Sequence, residues 1–169
     1  MNATAATFRQ RWNLADERQR LLQVVQPSLI GLFDGTISTL APIFAAAYIA
    51  GSRAALLVGL ASALGAAISM GMSEGLSDDG AITGRGAALT RGMITGIATF
   101  VGGTAHALPF LINDVGTALT VAYIVVSIEL VAIAWIRKRF LGVALRTSLI
   151  QVTLGGVIVA TVGVLVGHA

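Results

Sequence analysis

The sequence predicts an all-α polytopic membrane protein with five transmembrane helices, and three observations lead to it. Hydrophobic residues make up 56% of the 169-residue chain and charged residues only 11%, against about 25% charged in soluble domains. Five mostly apolar stretches follow one another, each near the roughly 20 residues that a helix needs to cross a bilayer. None of them alternates apolar and polar residues, which excludes the strands of a β-barrel.

The predicted spans divide the chain into a leader and a transmembrane domain. The spans cover residues 27–50, 54–77, 92–112, 115–136 and 147–167, so the transmembrane domain is 27–167. Residues 1–26 are too polar for a cleaved signal peptide. We expect them to form a basic leader helix that begins at Asn13, which is a typical N-cap residue. This helix lies either at the cytoplasmic face of the bilayer or in solution.

The distribution of positive charge predicts the orientation. Ten of the eleven Lys and Arg residues fall in the leader, in the loop after span 2 or in the loop after span 4, and only Arg53 falls on the other side. Because cytoplasmic loops retain positive charge, we expect a cytoplasmic N-terminus in a cell inner (plasma) membrane. The basic composition then reflects topology and indicates no nucleic-acid partner. The chain has no cysteine and no enzyme signature, so we expect neither thiolate chemistry nor an enzyme.

Three acidic residues lie inside the predicted spans, namely Asp34, Glu74 and Glu129. Each costs on the order of 2.5–3.5 kcal/mol at the centre of a membrane helix. The spans hold no Lys or Arg that could act as a counter-ion, since Arg91 is assigned to the loop before span 3. The acids therefore need protonation, backbone donors, water or a bound cation, and the last is the functional hypothesis.

Depth and spacing suggest how these acids are arranged. Asp34, Met70 and Glu129 lie at similar depths, about 10 Å from the cytoplasmic end of their spans, so we expect them to converge. Met70, Glu74 and Asp78 recur every four residues and are expected on one helix face. The alternative is that Met70 is an apolar filler and that Asp78 only solvates a loop end.

Span 1 offers further oxygen ligands near Asp34. Ser38 lies one turn beyond Asp34, and Pro42 removes the hydrogen bond to the carbonyl of Ser38. This arrangement is either part of a cation path or only a packing kink. His106 and Asp114 are placed toward the outside, where they form either an exit site or ordinary hydrogen bonds. Four pairs of glycines spaced four residues apart permit close helix contacts, either within the chain or along a dimer interface: Gly31 and Gly35, Gly71 and Gly75, Gly92 and Gly96, and Gly163 and Gly167.

The motifs in these spans resemble the vacuolar iron transporter family, in its bacterial branch where this membrane domain follows a ferritin-like domain. The resemblance is carried by QPSLIGLFDGTISTLAPIFAAAY (26–48), GAAISMGMSEGLSDDG (65–80), GRGAALTRGMITGIATFVGGTAHALPFLI (84–112), ELVAIAWIRKRF (129–140) and QVTLGGVIV (151–159). It implies a homodimer that exports Fe²⁺, and in some members Mn²⁺, from the cytosol in exchange for protons. The metal is then a transported substrate and not a cofactor.

The resemblance also assigns residues to the metal path. Asp34 matches the aspartate of span 1, Met70 the methionine of span 2 and Glu74 the glutamate at the entrance, whereas Glu129 is proposed from depth alone. The metal-binding cytoplasmic domain of vacuolar members and the fused ferritin-like domain have no counterpart in this sequence. Metal then enters directly from the cytosol, or a separate iron-storage partner delivers it. The alternative functions are a non-transporting membrane anchor for such a partner and a proton-linked carrier of another small cation.

Overall fold

The computed structural model describes residues 16–81 and 83–169, and over these residues the chain is all-helical. The first helical stretch, Asp16–Ser77, contains a π-helical turn at Leu21–Val25 and the α-helix Gln26–Ser77. We name the two parts of that α-helix, on either side of Gly51, α1 (residues 26–50) and α2 (residues 52–77). The chain continues with α3 (Ala88–Ala105), a 3₁₀ turn (Leu108–Leu111), α4 (Val115–Leu141) and α5 (Leu145–Gly167). The expected N-cap Asn13 lies outside the described residues.

Gly51 separates α1 from α2 and turns the chain back on itself. Its φ of 82° and ψ of −173° are not helical, and glycine reaches positive φ without the steric cost that a Cβ imposes. A Cβ at Gly59, eight residues after the turn, would lie 3.0 Å from the side chain of Ile43, eight residues before it. α1 and α2 therefore form an antiparallel helical hairpin.

α3 packs against both helices of this hairpin through glycines. A Cβ at Gly103 would lie 2.9 Å from the Cβ of Ala63 on α2 and 3.0 Å from Cγ2 of Thr39 on α1. Toward the start of α3, a Cβ at Gly92 would lie 2.6 Å from the carbonyl oxygen of Gly71. Because no side chain separates the backbones at these positions, α3 runs parallel to α1 and antiparallel to α2 at very short range.

α4 and α5 close the bundle on the other sides of α1. A Cβ at Gly163 of α5 would lie 2.7 Å from the carbonyl oxygen of Ala41, and one at Gly156 would lie 3.0 Å from Leu130 of α4. Aromatic contacts join α1 to α4, with the ring centroids of Phe44 and Tyr123 4.8 Å apart. The core is continuous through α1 and α4, and its fully buried side chains include Leu40, Ile43, Phe44 and Ile133.

The outer surface of the bundle is apolar. Three helical stretches are long and apolar enough to cross a membrane, namely Asp16–Ser77, Val115–Leu141 and Leu145–Gly167. Large hydrophobic side chains are exposed on all the helices, among them Ile68, Ile97, Ile128 and Val157. Contact with lipid is favourable for an apolar exterior of this kind, whereas contact with water is unfavourable. The prediction of an all-α fold is confirmed over the described residues, and three of its helical stretches are apolar enough to span a membrane.

One expectation about the helices needs correction, and one open alternative is decided. The prediction of one helix over residues 92–112 is wrong, because α3 begins at Ala88 and ends at Ala105, and a 3₁₀ turn containing Pro109 follows. The glycine pairs lie at contacts within the chain, where α3 meets α1 and α2 and where α5 meets α1. Intramolecular packing therefore accounts for these pairs, and they give no indication of a dimer interface.

We predict that glycine-to-alanine substitutions divide into two classes. A Cβ at Gly35 would lie 2.8 Å from the carbonyl carbon of Thr99 and 2.9 Å from the nitrogen of Gly103, both backbone atoms. Gly35→Ala should therefore lower the free energy of unfolding by about 1–3 kcal/mol, the usual cost of overpacking. Gly65→Ala is the matched control, because nothing lies within 4 Å of its Cβ position, and it should be neutral or stabilising by up to about 1 kcal/mol.

Denaturant unfolding of the two variants in detergent micelles measures the difference. If Gly35→Ala is as stable as Gly65→Ala, the close contact between α1 and α3 is not a constraint on the fold.

Candidate functional site

The three acids predicted inside the spans lie in three separate environments. Asp34 lies on an open face of α1, Glu74 is paired with arginines, and Glu129 is hydrogen-bonded to a histidine. Within residues 16–81 and 83–169, no group of three or more His, Asp or Glu side chains could hold a metal ion. A single chain therefore does not bring the predicted ligands together into one cluster.

Asp34 and Ser38 share one face of α1, as their spacing of four residues predicts. Asp34 is half-buried and Ser38 is exposed. No hydrogen bond or ion pair from the described part of the chain reaches the Asp34 carboxylate. Asp34 is thus an acidic side chain that the chain itself leaves without a partner.

This face of α1 points away from α2, and it is open around Asp34 and Ser38 only, because three residues further on Ala41 packs against Gly163 of α5. Ile43 packs against α2 at Gly59, and Asp34 precedes Ile43 by nine residues, which is two and a half helical turns. Asp34 therefore lies on the opposite side of α1 from the helix that carries Met70 and Glu74. Met70 is half-buried, one turn before Glu74. The expected convergence of Asp34 with Met70 does not occur within one chain.

Glu74 is part of an ion-pair network at the end of α2. Its Oε1 accepts hydrogen bonds from Arg85 Nη2 at 2.7 Å and from Arg91 Nε at 2.9 Å. Arg91 is completely buried, and it also donates to the carbonyl oxygens of Gly86 at 2.7 Å and Asp78 at 2.6 Å. The expectation that the acids of the spans have no arginine counter-ion is therefore wrong for Glu74.

Asp78 belongs to the same network but not to the helix face that its spacing predicts. α2 ends at Ser77, and Asp78 has extended backbone angles. Its carboxylate accepts hydrogen bonds from the Thr83 hydroxyl and from the Gly80 backbone N–H. These two bonds, followed by the charges of Arg91 and Arg85, hold the pKa of Asp78 below its usual 3.8. The loop carboxylate is thus satisfied within the loop.

His106 links Glu129 of α4 to Thr39 of α1. The ring is completely buried just after the last residue of α3, with Nε2 2.8 Å from Thr39 Oγ1 and Nδ1 2.9 Å from Glu129 Oε2. Thr39 donates its single hydroxyl hydrogen to the carbonyl oxygen of Gly35 at 2.8 Å, so Nε2 must be the donor to Thr39. Nδ1 and Glu129 then share one proton. The pair is neutral overall whether that proton resides on the ring or on the carboxylate.

The depth of His106 can be compared with the turn at Gly51, whereas its predicted position toward the outside depends on the membrane orientation and stays a prediction. The preceding Gly103 contacts Thr39 and Ala63, each of which lies twelve residues from Gly51 and so about 18 Å from the turn. His106 therefore lies near the middle of the bundle. It is separate from Asp114, which caps α4 by accepting a hydrogen bond from the Thr117 N–H at 2.8 Å. The Thr117 hydrogen bonds also lower the pKa of Asp114.

Sequence reasoning missed two contacts, and one of them has a recognisable signal. Arg91 stands directly before predicted span 3, and three glycines with positive φ, Gly80, Gly84 and Gly86, let the intervening loop fold back to α2. An arginine at the start of one helix and a glutamate in the last turn of the helix before it are opposite each other in a hairpin. The contact of His106 with Glu129 has no such signal, because it depends on where α3 ends.

We predict that Arg91 is essential to the stability of this end of the bundle. Arg91→Gln should lower the free energy of unfolding by about 3 kcal/mol or more, because removing one partner of a buried ion pair leaves the other uncompensated. Arg53→Gln is the control, because Arg53 is exposed and its loss should change stability by less than about 0.5 kcal/mol. Denaturant unfolding in micelles compares the two. Equal stability of the two variants would show that the network around Glu74 does not hold α2 and α3 together.

Comparison with known proteins assigns no family to this arrangement. The chain matches no protein-family model, no curated protein and no solved structure. The function is therefore argued from the environments of Asp34, Glu74 and Glu129.

Proposed function

We propose that the protein is a homodimeric five-span membrane transporter that exports a divalent transition metal, Fe²⁺ or Mn²⁺, from the cytosol in exchange for protons. In this proposal the N-terminus is cytoplasmic, as the distribution of Lys and Arg predicts. The choice of metal follows the resemblance to the vacuolar iron transporter family. The observation that carries the proposal is the unpartnered carboxylate of Asp34 on the open face of α1.

A partner for Asp34 has to come from outside the chain. Asp34 is eight residues from the first residue of α1, about 12 Å along the helix axis, where an ionised carboxylate in lipid costs on the order of 2.5–3.5 kcal/mol. The other two intramembrane acids are neutralised internally, by arginines and by a histidine. A transported cation supplies the charge that Asp34 lacks.

A second copy of the chain supplies the additional ligands. One chain offers a carboxylate and, one turn away, the hydroxyl of Ser38, which is too few oxygens for a divalent cation. If the same face of α1 meets its symmetry mate in a twofold dimer, two carboxylates and two hydroxyls surround one site. Met70, Glu74 and Asp78 lie elsewhere, and their roles as ligands stay predictions from the sequence.

The His106–Glu129 pair is a group suited to counter-transport of a proton. It holds one proton between His106, which directly follows α3, and Glu129 of α4. No other charged side chain in the described part of the protein forms an ion pair with it. We therefore assign Glu129 to proton exchange and not to metal binding, which departs from its sequence-based assignment as a metal ligand.

One observation favours the alternative function of a non-transporting membrane anchor for a separate iron-storage partner. The internal pairing of Glu74 and Glu129 leaves Asp34 as the single unpaired acid of α1–α5 on each chain. An anchor needs no polar path at all. The two functions differ in metal flux, which an anchor lacks.

We predict that reconstituted protein carries Fe²⁺ and Mn²⁺ across liposome membranes and that an opposing proton gradient accelerates the transport. Asp34→Asn should reduce the initial rate at least tenfold, because a neutral amide cannot balance the charge of the cation. The matched control is Asp79→Asn, which removes an exposed loop carboxylate and should keep more than half of the rate.

A metal-quenched fluorophore inside the vesicles gives the rate for each variant. Wild-type protein without flux of any tested metal would support the anchor and overturn the transporter. Undiminished flux of Asp34→Asn would overturn the role of the open face of α1.

We also predict that a cysteine on the open face of α1 forms an intermolecular disulfide. The chain has no cysteine, so Ser38→Cys introduces a single thiol, and oxidation should yield a covalent dimer if the two Cα atoms lie within about 7 Å. Ile128→Cys is the control, because Ile128 is exposed on α4, a helix outside the proposed interface. Non-reducing gel electrophoresis after oxidation in membranes measures the dimer. Equal cross-linking at both positions would indicate random collision and contradict the interface.

A further inference from the structure

A basic cleft lies where the helical stretch before α1 meets the end of α4. Its volume is about 620 Å³. Its charged lining residues are Glu17, Arg18 and Arg20 from the first stretch and Arg139 from α4. The apolar residues Leu21, Val25 and Phe140 complete the lining. Guanidinium groups from two separate helices therefore face one cavity.

These arginines are not neutralised by the protein. Neither Arg18, Arg20 nor Arg139 forms an ion pair with a carboxylate among residues 16–81 and 83–169. Residues 1–15 and residue 82 contain no Asp or Glu that could do so. Glu17 is the one acid of the cleft, so the lining carries an excess of two positive charges. A cleft of this charge attracts an anion.

The local structure sets the direction of Arg18 and Arg20 and gives Arg139 an aromatic contact. The π-helical turn Leu21–Val25 takes up one more residue per hydrogen-bonded turn than an α-helix, which changes the direction in which Arg18 and Arg20 project relative to α1. The Arg139 guanidinium lies 5.5 Å from the ring centroid of Phe140, within the range of a cation–π contact. The cleft is thus formed by side chains from two helical segments.

A second, mainly apolar cavity lies between α1, α4 and α5. It has a volume of about 380 Å³, and its lining includes Leu29, Phe33 and Ile133 together with the polar residues Arg137 and Gln151. Leu29 comes one helical turn after Val25, which lines the basic cleft. The two cavities, which we call the seam, therefore place positive charge and mainly apolar surface within one helical turn of each other along the first helical stretch.

We propose that this seam binds an anionic phospholipid, with the headgroup phosphate between Arg18, Arg20 and Arg139 and an acyl chain along Leu29 and Phe33. Guanidinium groups form strong charge-assisted hydrogen bonds with phosphate oxygens, and basic pockets at the ends of membrane helices are suited to lipid headgroups. A free phosphate ion would use the arginines but not the apolar cavity. The combination of positive charge and apolar surface favours a phospholipid over a free phosphate ion. This site is independent of metal transport.

Native mass spectrometry of the full chain in non-ionic detergent, titrated with phosphatidylglycerol or phosphatidylcholine, tests the proposal. Wild-type protein should bind phosphatidylglycerol at least tenfold more tightly than phosphatidylcholine. The triple variant R18Q/R20Q/R139Q should lose at least tenfold in affinity for phosphatidylglycerol, since each basic residue near an anionic lipid contributes roughly a factor of five. The control R53Q/K138Q/R146Q removes three positive charges outside the lining and should change the affinity less than twofold.

A fourth variant makes the test independent of any loss of folding. Glu17→Gln removes the one negative charge of the cleft and should raise the affinity for phosphatidylglycerol severalfold. Equal losses in the two triple variants would show diffuse attraction to the positive charge of the protein and overturn the site. Displacement of phosphatidylglycerol by inorganic phosphate at equal concentration, or equal binding of phosphatidylcholine, would overturn the lipid assignment.

Discussion

An ionisable side chain inside an apolar bundle needs a partner, because lipid offers no water to solvate it. The bundle meets this constraint in two ways with its own residues. Glu74 is held by Arg85 and the completely buried Arg91, and Glu129 shares a proton with His106. Asp34 has no such partner in the described structure. That contrast, and not the number of acids, is what makes the open face of α1 the place to look for a ligand.

Close helix packing through glycine keeps these polar partners in place. α3 approaches α1 and α2 so closely that a methyl group would collide with backbone atoms at Gly35 and Gly92. Dispersion contacts at this distance replace the hydrophobic driving force that lipid does not provide. The same approach brings Arg91 at one end of α3 against Glu74, and His106 after its other end against Thr39. The polar network and the glycine contacts are therefore parts of one arrangement.

The sequence predicted the helices well and the site only in part. Composition and hydropathy are sufficient for an all-α membrane fold, since a span is a property of about 20 consecutive residues. The shared face of Asp34 and Ser38 follows from helical spacing and was predicted correctly. The partner of Glu74 was not predicted, because a residue assigned to a loop folds back through glycines with positive φ. The prediction that Asp34 and Met70 converge was wrong within one chain, because equal depth does not determine which side of its helix each residue faces.

α3 ends earlier than the sequence predicts, and this break in the helix determines which polar side chains meet inside the bundle. Irregular backbone at membrane depth is tolerated where protein covers it. The segment after Ala105 satisfies this condition because Ala107, Pro109 and Phe110 are buried. Its hydrogen bonds are local, from Ala107 N–H to Thr104 and from Phe110 N–H to Ala107. If α3 continued as a helix over residues 106–112, the following residues would keep its pitch and direction. Because the helix ends instead, the imidazole that follows lies between α1 and α4, where it can neutralise Glu129.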